Sequence, residues 1–158
     1  MVWKPDVTVA AIIERDGRYL LVEERIRGRL VLNQPAGHLE DRESLLDAVV
    51  RETLEETAWH FAPEFLVGIY LWRSLRGHTT LRFAFAGSVT DFDPQRKLDP
   101  PVQATHWLTR DEVLQRDAKL RTVLVTRCID DFKLGKRLPL DAVATEVVWQ
   151  QPSAPPSA

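Results

Sequence analysis

Three carboxylates lie close together in the first half of the chain. Glu52, Glu55 and Glu56 stand at positions i, i+3 and i+4, so on an α-helix with 3.6 residues per turn they share one face. Like charges at this spacing repel one another, and a bound cation relieves the repulsion. Mg²⁺ fits such a group, with Mn²⁺ as the alternative, because it prefers oxygen ligands and is commonly shared between carboxylates and substrate phosphates. The spacing therefore indicates a metal site that acts on a phosphate compound.

Two neighbouring residues extend this hypothesis. Arg51 directly precedes the carboxylates and can hold one of them through a bidentate fork. Gly37 follows a short apolar run and can offer its backbone carbonyl to the metal. The opposing interpretation is that residues 51–56 form a solvated helix face, as most charge runs on helices do.

The carboxylates require a helix to position them. Ser44 followed by Asp47 is typical of a capping box, and no Gly or Pro interrupts the segment that follows. The pattern predicts a helix from Ser44 to about Thr57. Its predicted buried stripe consists of three apolar residues at four-residue steps, Leu46, Val50 and Leu54.

Apolar runs separated by turn residues predict the strands around this helix. Asp16-Gly17 stands between two such runs and predicts a tight hairpin. The strands are predicted at residues 7–13, 19–22, 30–32, 65–72, 81–89, 104–108 and 145–149. Two further helices are predicted at residues 111–114, after a cap at Thr109, and at residues 119–134.

Composition limits the class of protein. The chain has 158 residues, a net charge of −2 and a single cysteine, Cys128. These values predict one domain over residues 1–151 in the reducing cytoplasm, with a disordered tail of Pro, Ser and Ala at residues 152–158. Lys and Arg are scattered and no long apolar stretch occurs, so neither a nucleic-acid partner nor a membrane is expected.

The wider spacing resembles the signature of the Nudix hydrolase superfamily. The matched positions are Gly37, Glu43, Arg51, Glu52, Glu55 and Glu56. The chain departs from the family pattern at three positions: Thr53 replaces an aliphatic residue, Ala58 replaces glycine, and Trp59 replaces a small aliphatic residue. Thr53 is expected to point toward the packed side of the helix. If the backbone at Ala58 needs a positive φ, alanine costs about 1 kcal/mol there.

The resemblance extends along most of the chain. Four segments, residues 4–10, 33–40, 81–83 and 135–140, look like the phosphatase NudJ branch of this superfamily. Membership implies an α/β fold, the Nudix α/β/α sandwich with a mixed central sheet. It also implies hydrolysis of hydroxymethylpyrimidine pyrophosphate, thiamine pyrophosphate, and nucleoside di- and triphosphates.

Several assignments stay open from the sequence. Glu52 and Glu55 are both candidates for the general base, because a sequence gives no distances to the attacking water. Arg82 and His38 are candidate substrate-binding residues, although such residues more often serve the protein surface or its packing. Four tryptophans could stack on a heteroaromatic ring, and the sequence distinguishes none of them: Trp3, Trp72, Trp107 and Trp149.

Two other functions compete with this prediction. One is a housecleaning nucleotide or dinucleoside-polyphosphate pyrophosphatase, which would carry the same signature and a different substrate pocket. The other is a non-catalytic Nudix module that senses a nucleotide, which would not need the crowded carboxylates. The expected partner is a small-molecule pyrophosphate, and the chain is expected to be a monomer or a homodimer.

Overall fold

The computed structural model describes residues 2–146 of the chain. The strands are β1 (Asp6–Arg15), β2 (Arg18–Ile26), β3 (Arg29–Asn33), β4 (Ala36–His38), β5 (Trp59–Arg73), β6 (Thr79–Phe92) and β7 (Val102–Thr109). The helices are α1 (Leu45–Thr57), α2 (Arg110–Leu114) and α3 (Leu124–Lys133), and 3₁₀ turns lie at Asp117–Lys119 and Leu140–Ala142. Within the described residues, no helix combines the length and apolar character that a bilayer crossing requires.

The strands form an open mixed sheet around β1. Strand β1 runs parallel to β6 and antiparallel to β4, while β5 closes one edge by pairing antiparallel with β6. Strand β2 carries β3 on one side and β7 on the other. Helix α3 packs with Ile12 of β1, whereas α1 packs with its neighbours Val9, Ala11 and Ile13. Because adjacent strand residues point to opposite faces, the two helices cover opposite faces, as predicted for the sandwich.

Local sequence explains the first hairpin. The core of β1 is apolar and buried on both faces, as its continuous hydrophobic run predicts. Asp16 and Gly17 have φ values of 52° and 76°. Positive φ at both central residues is the requirement of the tight hairpin turn that the Asp-Gly pair favours, so this prediction is confirmed.

Helix α1 begins as predicted. The Ser44 hydroxyl accepts a hydrogen bond from the Asp47 backbone N–H, and the Asp47 carboxylate accepts one from the Ser44 backbone N–H, which completes the capping box. The helix ends at Thr57, after which Ala58 adopts a left-handed φ of 61°. The strain expected for alanine at this position is therefore present.

The buried face of α1 differs from the predicted stripe. Leu46, Val50 and Leu54 are only partly buried. The buried positions are Ala48, Val49, Glu52, Thr53, Glu56 and Thr57. Thr53 points inward, as predicted, and its hydroxyl donates to the Val49 carbonyl at 2.7 Å. Glu52 and Glu56 turn toward the protein because the short strand β4 lies beside this face: Ala36 donates its backbone N–H to Glu56, and Gly37 leaves space for the Glu52 carboxylate.

The later elements depart from prediction in length. Helix α3 starts at Leu124, five residues after the predicted start, because the chain first forms a 3₁₀ turn and a bridge from Leu120 to Leu32. Strands β5 and β6 are longer than predicted: β5 begins at Trp59, six residues before the predicted start, and β6 ends at Phe92, three residues after the predicted end. The predicted strand at residues 145–149 is absent at Thr145 and Glu146. Its other residues, including Trp149, and the predicted tail lie outside the described residues.

Candidate active site

The buried carboxylate of Glu56, on α1, contacts the free edge of β4. Glu56 Oε2 accepts from the Ala36 backbone N–H at 2.9 Å, and Glu56 is only 6% exposed. Among residues 2–146, no cationic side chain lies within ion-pair distance of it. Burial therefore raises the pKa of Glu56 to about 9, with added repulsion from Glu24 and Glu52. An isolated buried carboxylate of this kind favours either a proton or a metal cation.

The Glu52 carboxylate occupies the space that a side chain at position 37 would fill. A Cβ atom at Gly37 would lie 2.0 Å from Glu52 Cδ, and 2.1 and 2.2 Å from its two oxygens. Any side chain at this position would displace the carboxylate. Burial raises the pKa of Glu52, while the neighbouring Arg51 guanidinium partly offsets that shift.

Arg51 connects the acidic residues of the site. Its Nε and Nη2 donate to the two oxygens of Glu43 at 3.0 and 2.7 Å, which is a bidentate fork. This contact lowers the pKa of Glu43. The third nitrogen, Nη1, donates to Glu52 at 2.9 Å and to Glu55 at 3.0 Å. Nη2 also donates to the His38 carbonyl at 3.1 Å. Arg51 thus fixes the helix against β4.

The strand register shows which backbone oxygens of β4 are free. Ala11 N–H donates to Pro35 and Leu39 N–H donates to Val7, and hydrogen-bonded pairs alternate along an antiparallel ladder. The intervening pair, Val9 and Gly37, is therefore a hydrogen-bonded pair, in which each residue donates its backbone N–H to the carbonyl of the other. Consequently the Gly37 carbonyl faces β1, away from the carboxylates. Ala36 directs its N–H and carbonyl to the free edge beside Glu56.

A cleft of about 1010 Å³ opens next to this edge. Glu52, Glu56, Gly37 and His38 line the cleft, whereas Glu55 does not. The structure therefore brings two of the three clustered carboxylates to the cleft. Glu55 stays on the flank, held by Arg51.

The remaining sequence candidates are divided between the cleft and other parts of the structure. Arg82 lines the cleft and is only 5% exposed, with Cys128 of α3 lying against it. Arg82 is therefore not the surface residue that an arginine on a strand more often is. Among the described tryptophans, Trp72 alone lines the cleft. Trp107 instead packs on the Arg15 guanidinium at 5.0 Å, and Trp3 is exposed at the surface.

Similarity to known proteins decides the family. A model of the family described as NUDIX domain matches residues 3–127. The chain belongs to the Nudix family. Phosphatase NudJ of Escherichia coli strain K12 is 36% identical to this Nudix chain over 141 residues, which are 89% of this chain and 92% of that protein. Phosphatase NudJ of Shigella flexneri gives the same values.

A solved structure agrees with this assignment. A NUDIX hydrolase from Nitrosomonas europaea is 52% identical, with a TM-score of 0.89 over 90% of this chain and 98% of that chain. The solution structure of the E. coli ORF135 protein is 26% identical, with a TM-score of 0.66 over 84% and 94% of the two chains. The protein is therefore a NudJ-like Nudix hydrolase, an enzyme of the phosphohydrolase and pyrophosphatase class.

The acidic side chains of this Nudix hydrolase fit a divalent metal, although they do not form a complete ligand set. Within residues 2–146, no three His, Cys, Asp or Glu side chains converge on one point as a full set of ligands does. Glu56 nevertheless presents a buried carboxylate without a counter-ion, and Glu52 lies against Gly37. Oxygen donors of this type suit Mg²⁺, which keeps several waters and needs few protein ligands. The donor set therefore fits a metal shared with a substrate.

Sequence reasoning missed several residues of this Nudix cleft. Glu24 of β2 is buried, ion-paired with Arg121 at 2.9 Å, and close enough to raise the pKa of Glu56. Thr8 and Asn33 also line the cleft. Thr8 and Asn33 lie in segments that resemble the NudJ branch, but no local signal gave them or Glu24 a role, because each reaches the cleft through the pairing of strands.

Proposed function

We propose that this Nudix hydrolase cleaves small organic diphosphates in a reaction that depends on Mg²⁺, with Mn²⁺ as a substitute. Its proposed substrates are hydroxymethylpyrimidine pyrophosphate, thiamine pyrophosphate, and nucleoside di- and triphosphates. The observation that carries the proposal is the buried pair Glu52 and Glu56 beside β4, at the side of a cleft large enough for such a molecule. The 36% identity to Phosphatase NudJ over most of both chains supports the choice of substrates.

The metal would be held by Glu52, Glu56 and the backbone of β4, with Glu55 nearby. Gly37 contributes the space for Glu52, and the Ala36 carbonyl takes the place predicted for that of Gly37 because it lies on the free edge. A bound metal supplies charge neutralisation on phosphate oxygens and lowers the pKa of water. Glu55 would become a third carboxylate ligand of the metal only if it gave up its contact with Arg51, whose Nη1 donates to Glu55 Oε2 at 3.0 Å.

Glu52 is the proposed general base. Glu52 lines the cleft and Glu55 does not, and a base must reach the proton that it removes. Burial raises the pKa of Glu52, and the Arg51 guanidinium partly offsets that shift. Arg51 is a positioning residue, because it holds the Glu52 carboxylate at 2.9 Å while its fork with Glu43 fixes its own orientation.

Both candidate substrate-binding residues line the cleft. Arg82 lies on its floor, and His38 lies on β4 directly opposite Thr8. We assign both Arg82 and His38 to substrate binding. The proposed partner is a small-molecule substrate in the cytoplasm, with no nucleic acid and no membrane. The net charge of −2 and the single buried cysteine are consistent with this proposal. The proposed working unit is a monomer or a homodimer.

A phosphate-release assay tests the function. Purified protein is given each diphosphate with Mg²⁺, and orthophosphate and pyrophosphate are measured separately. Glu56→Gln should keep its hydrogen bond to Ala36 and lose turnover by at least 100-fold, whereas Glu64→Gln on the exposed surface of β5 should match wild type. Hydrolysis of capped dinucleotides in preference to diphosphates would instead favour the housecleaning function. Binding without any hydrolysis would indicate a sensor.

A further inference from the structure

The cleft continues beyond Arg82 toward the hairpin that joins β5 and β6. The lining of this part combines residues of β1, β5 and β6 with residues of the hairpin loop: Asp6, Trp72, Thr80, Ser74, Arg76 and His78. We call these six residues the hairpin arm of the cleft. A diphosphate at the carboxylates of α1 leaves this arm for the organic part of the substrate.

The strand register places the functional side chains in consecutive rows across the sheet. Ala36, whose N–H contacts the Glu56 carboxylate, belongs to one row, Arg82 to the next, and Trp72 to the row after that. Each row contains one residue of β1, and these are Ala10, Thr8 and Asp6. Paired residues point to the same face, and successive rows on that face are about 7 Å apart. Carboxylates, a cation and an aromatic ring therefore follow one another in order along the cleft.

Trp72 is the aromatic residue of the hairpin arm. Among residues 2–146, no other Phe, Tyr or Trp lines the cleft. The Trp72 side chain is half-buried and packs against the core cluster on the α3 side of the sheet. The core therefore supports the ring while part of it stays open to the cleft. Aromatic rings favour offset stacked contacts with one another, so a ring held in this way can receive an aromatic ligand.

The β2–β3 side of the cleft has a different character. It contributes Arg27 and Arg29, and the described residues add no Phe, Tyr or Trp there. Guanidinium groups bind phosphate oxygens through charge and paired hydrogen bonds. This side therefore suits phosphates, whereas the hairpin arm suits a ring.

We propose that the aromatic ring of the substrate stacks on Trp72 in the hairpin arm, with the adjoining phosphate at Arg82 and the terminal phosphate at the carboxylates of α1. This inference rests on the proposed hydrolase function. The buried Nε of Arg82, which has no hydrogen-bond partner within residues 2–146, is free to donate to the adjoining phosphate. Trp72 is thereby a specificity-determining residue, because a diphosphate without an aromatic ring lacks the stacking contact.

Three variants test this role of Trp72. Trp72→Leu removes the aromatic face and keeps an apolar side chain against the core. Trp72→Phe keeps an aromatic face. Trp3→Leu is the matched control, because Trp3 is exposed and lies outside the cleft.

The first measurement is the binding of thiamine monophosphate by calorimetry in EDTA, which needs neither metal nor turnover. Wild type, Trp3→Leu and Trp72→Phe should bind it with Kd values within about 3-fold of one another, whereas Trp72→Leu should bind it about 10-fold more weakly or worse because the stacking contact is lost. Orthophosphate, which has no ring, should bind equally to all four proteins.

The second measurement compares kcat/KM with Mg²⁺ for thiamine pyrophosphate and for isopentenyl diphosphate, which has no ring. Wild type and Trp72→Phe should prefer thiamine pyrophosphate by about 10-fold or more. Trp72→Leu should lose most of this preference through a higher KM for thiamine pyrophosphate, with kcat little changed, because stacking holds the ring equally before and during the reaction.

The third measurement is tryptophan fluorescence, which does not depend on the folding of Trp72→Leu. Thiamine monophosphate should quench the emission of wild type and of Trp3→Leu. Trp72→Phe should bind the same ligand and show little quenching, since the stacked indole is gone. Quenching that persists in Trp72→Phe would overturn the proposal.

Two other results would also contradict it: thiamine monophosphate binding that Trp72→Leu leaves unchanged, or an equal loss in Trp72→Leu and Trp72→Phe, which would indicate a packing role only. Failure of the proposed function looks different. No diphosphate would then turn over, while binding of thiamine monophosphate would still depend on the aromatic side chain at position 72.

Discussion

Replacing Gly37 with alanine perturbs the site at a single point. The new Cβ would lie 2.0 Å from Glu52 Cδ, whereas ordinary contacts begin near 3.4 Å, so the carboxylate must retreat by roughly 1.4 Å. The backbone at Gly37 has no positive φ, and alanine is therefore tolerated by the strand itself. Gly37→Ala should therefore displace the Glu52 side chain and leave the fold intact.

The expected effect of Gly37→Ala is large on catalysis. A displacement of about 1 Å in a catalytic group can cost about 100-fold in rate, which corresponds to about 2.7 kcal/mol in the activation barrier. We expect kcat/KM for thiamine pyrophosphate with Mg²⁺ to fall about 100-fold, while the free energy of unfolding in EDTA changes by less than about 1 kcal/mol. Steady-state phosphate release and urea denaturation measure the two quantities.

A double-mutant cycle identifies the cause. Glu52→Asp shortens the side chain by one methylene and relieves the clash, so adding Gly37→Ala to it should cost less than about 10-fold beyond the loss from Glu52→Asp alone. Gly28→Ala is the control for catalysis alone: no atom lies within 4 Å of the new Cβ, so kcat/KM should not change, whereas its φ of 80° should lower the free energy of unfolding by about 1 kcal/mol. The reasoning is refuted if Gly37→Ala keeps near-normal kcat/KM, or if its effect is equally large in both backgrounds.

Three further predictions follow from the structure. The pKa of Glu56 is raised from 4.5 to about 9, so the stability that protonated Glu56 confers in EDTA is fully present below pH 4.5 and is lost as pH rises toward 9. In urea denaturation, the free energy of unfolding of wild type should therefore fall by up to about 1.4 kcal/mol per pH unit relative to that of Glu56→Gln. Parallel pH curves for the two proteins would contradict this. Ala58→Gly should relieve about 1–2 kcal/mol of left-handed strain, but it also removes a buried methyl and adds unfolded-state entropy, each worth about 0.4–1 kcal/mol. The free energy of unfolding should therefore change by less than about 1 kcal/mol, and a larger loss in urea denaturation would argue against strain. Arg51→Lys cannot form the fork with Glu43 and should lower kcat about 10-fold or more, which the phosphate-release assay measures; an unchanged kcat would remove Arg51 as a positioning residue.

Local patterns were sufficient for the elements that carry the site. The capping box at Ser44, the Asp16-Gly17 turn and the spacing of the helix carboxylates each act over a few residues, so the sequence shows them directly. The same holds for the strain at Ala58, which follows from the residue type at a helix end.

The features that depend on long-range pairing could not be predicted. The burial of Glu56 follows from the position of β4 beside α1, and the burial of Arg82 follows from the cover provided by α3. The direction of the Gly37 carbonyl depends on which β1 residue it faces. Thr8 lines the cleft because the strand register places it between His38 and Arg82, which no local pattern in the sequence indicates.

Binding of Mn²⁺ in the absence of substrate, followed by electron paramagnetic resonance, tests the central claim that Glu52 and Glu56 form a cation site against β4. Wild type and Glu64→Gln should bind the ion with the same Kd, and Glu56→Gln should weaken binding about 100-fold or abolish it. Because Glu56 is protonated before the ion arrives, binding at pH 7.5 should also release a proton in wild type and not in Glu56→Gln. Equal affinity for Mn²⁺ in wild type and Glu56→Gln would contradict the account.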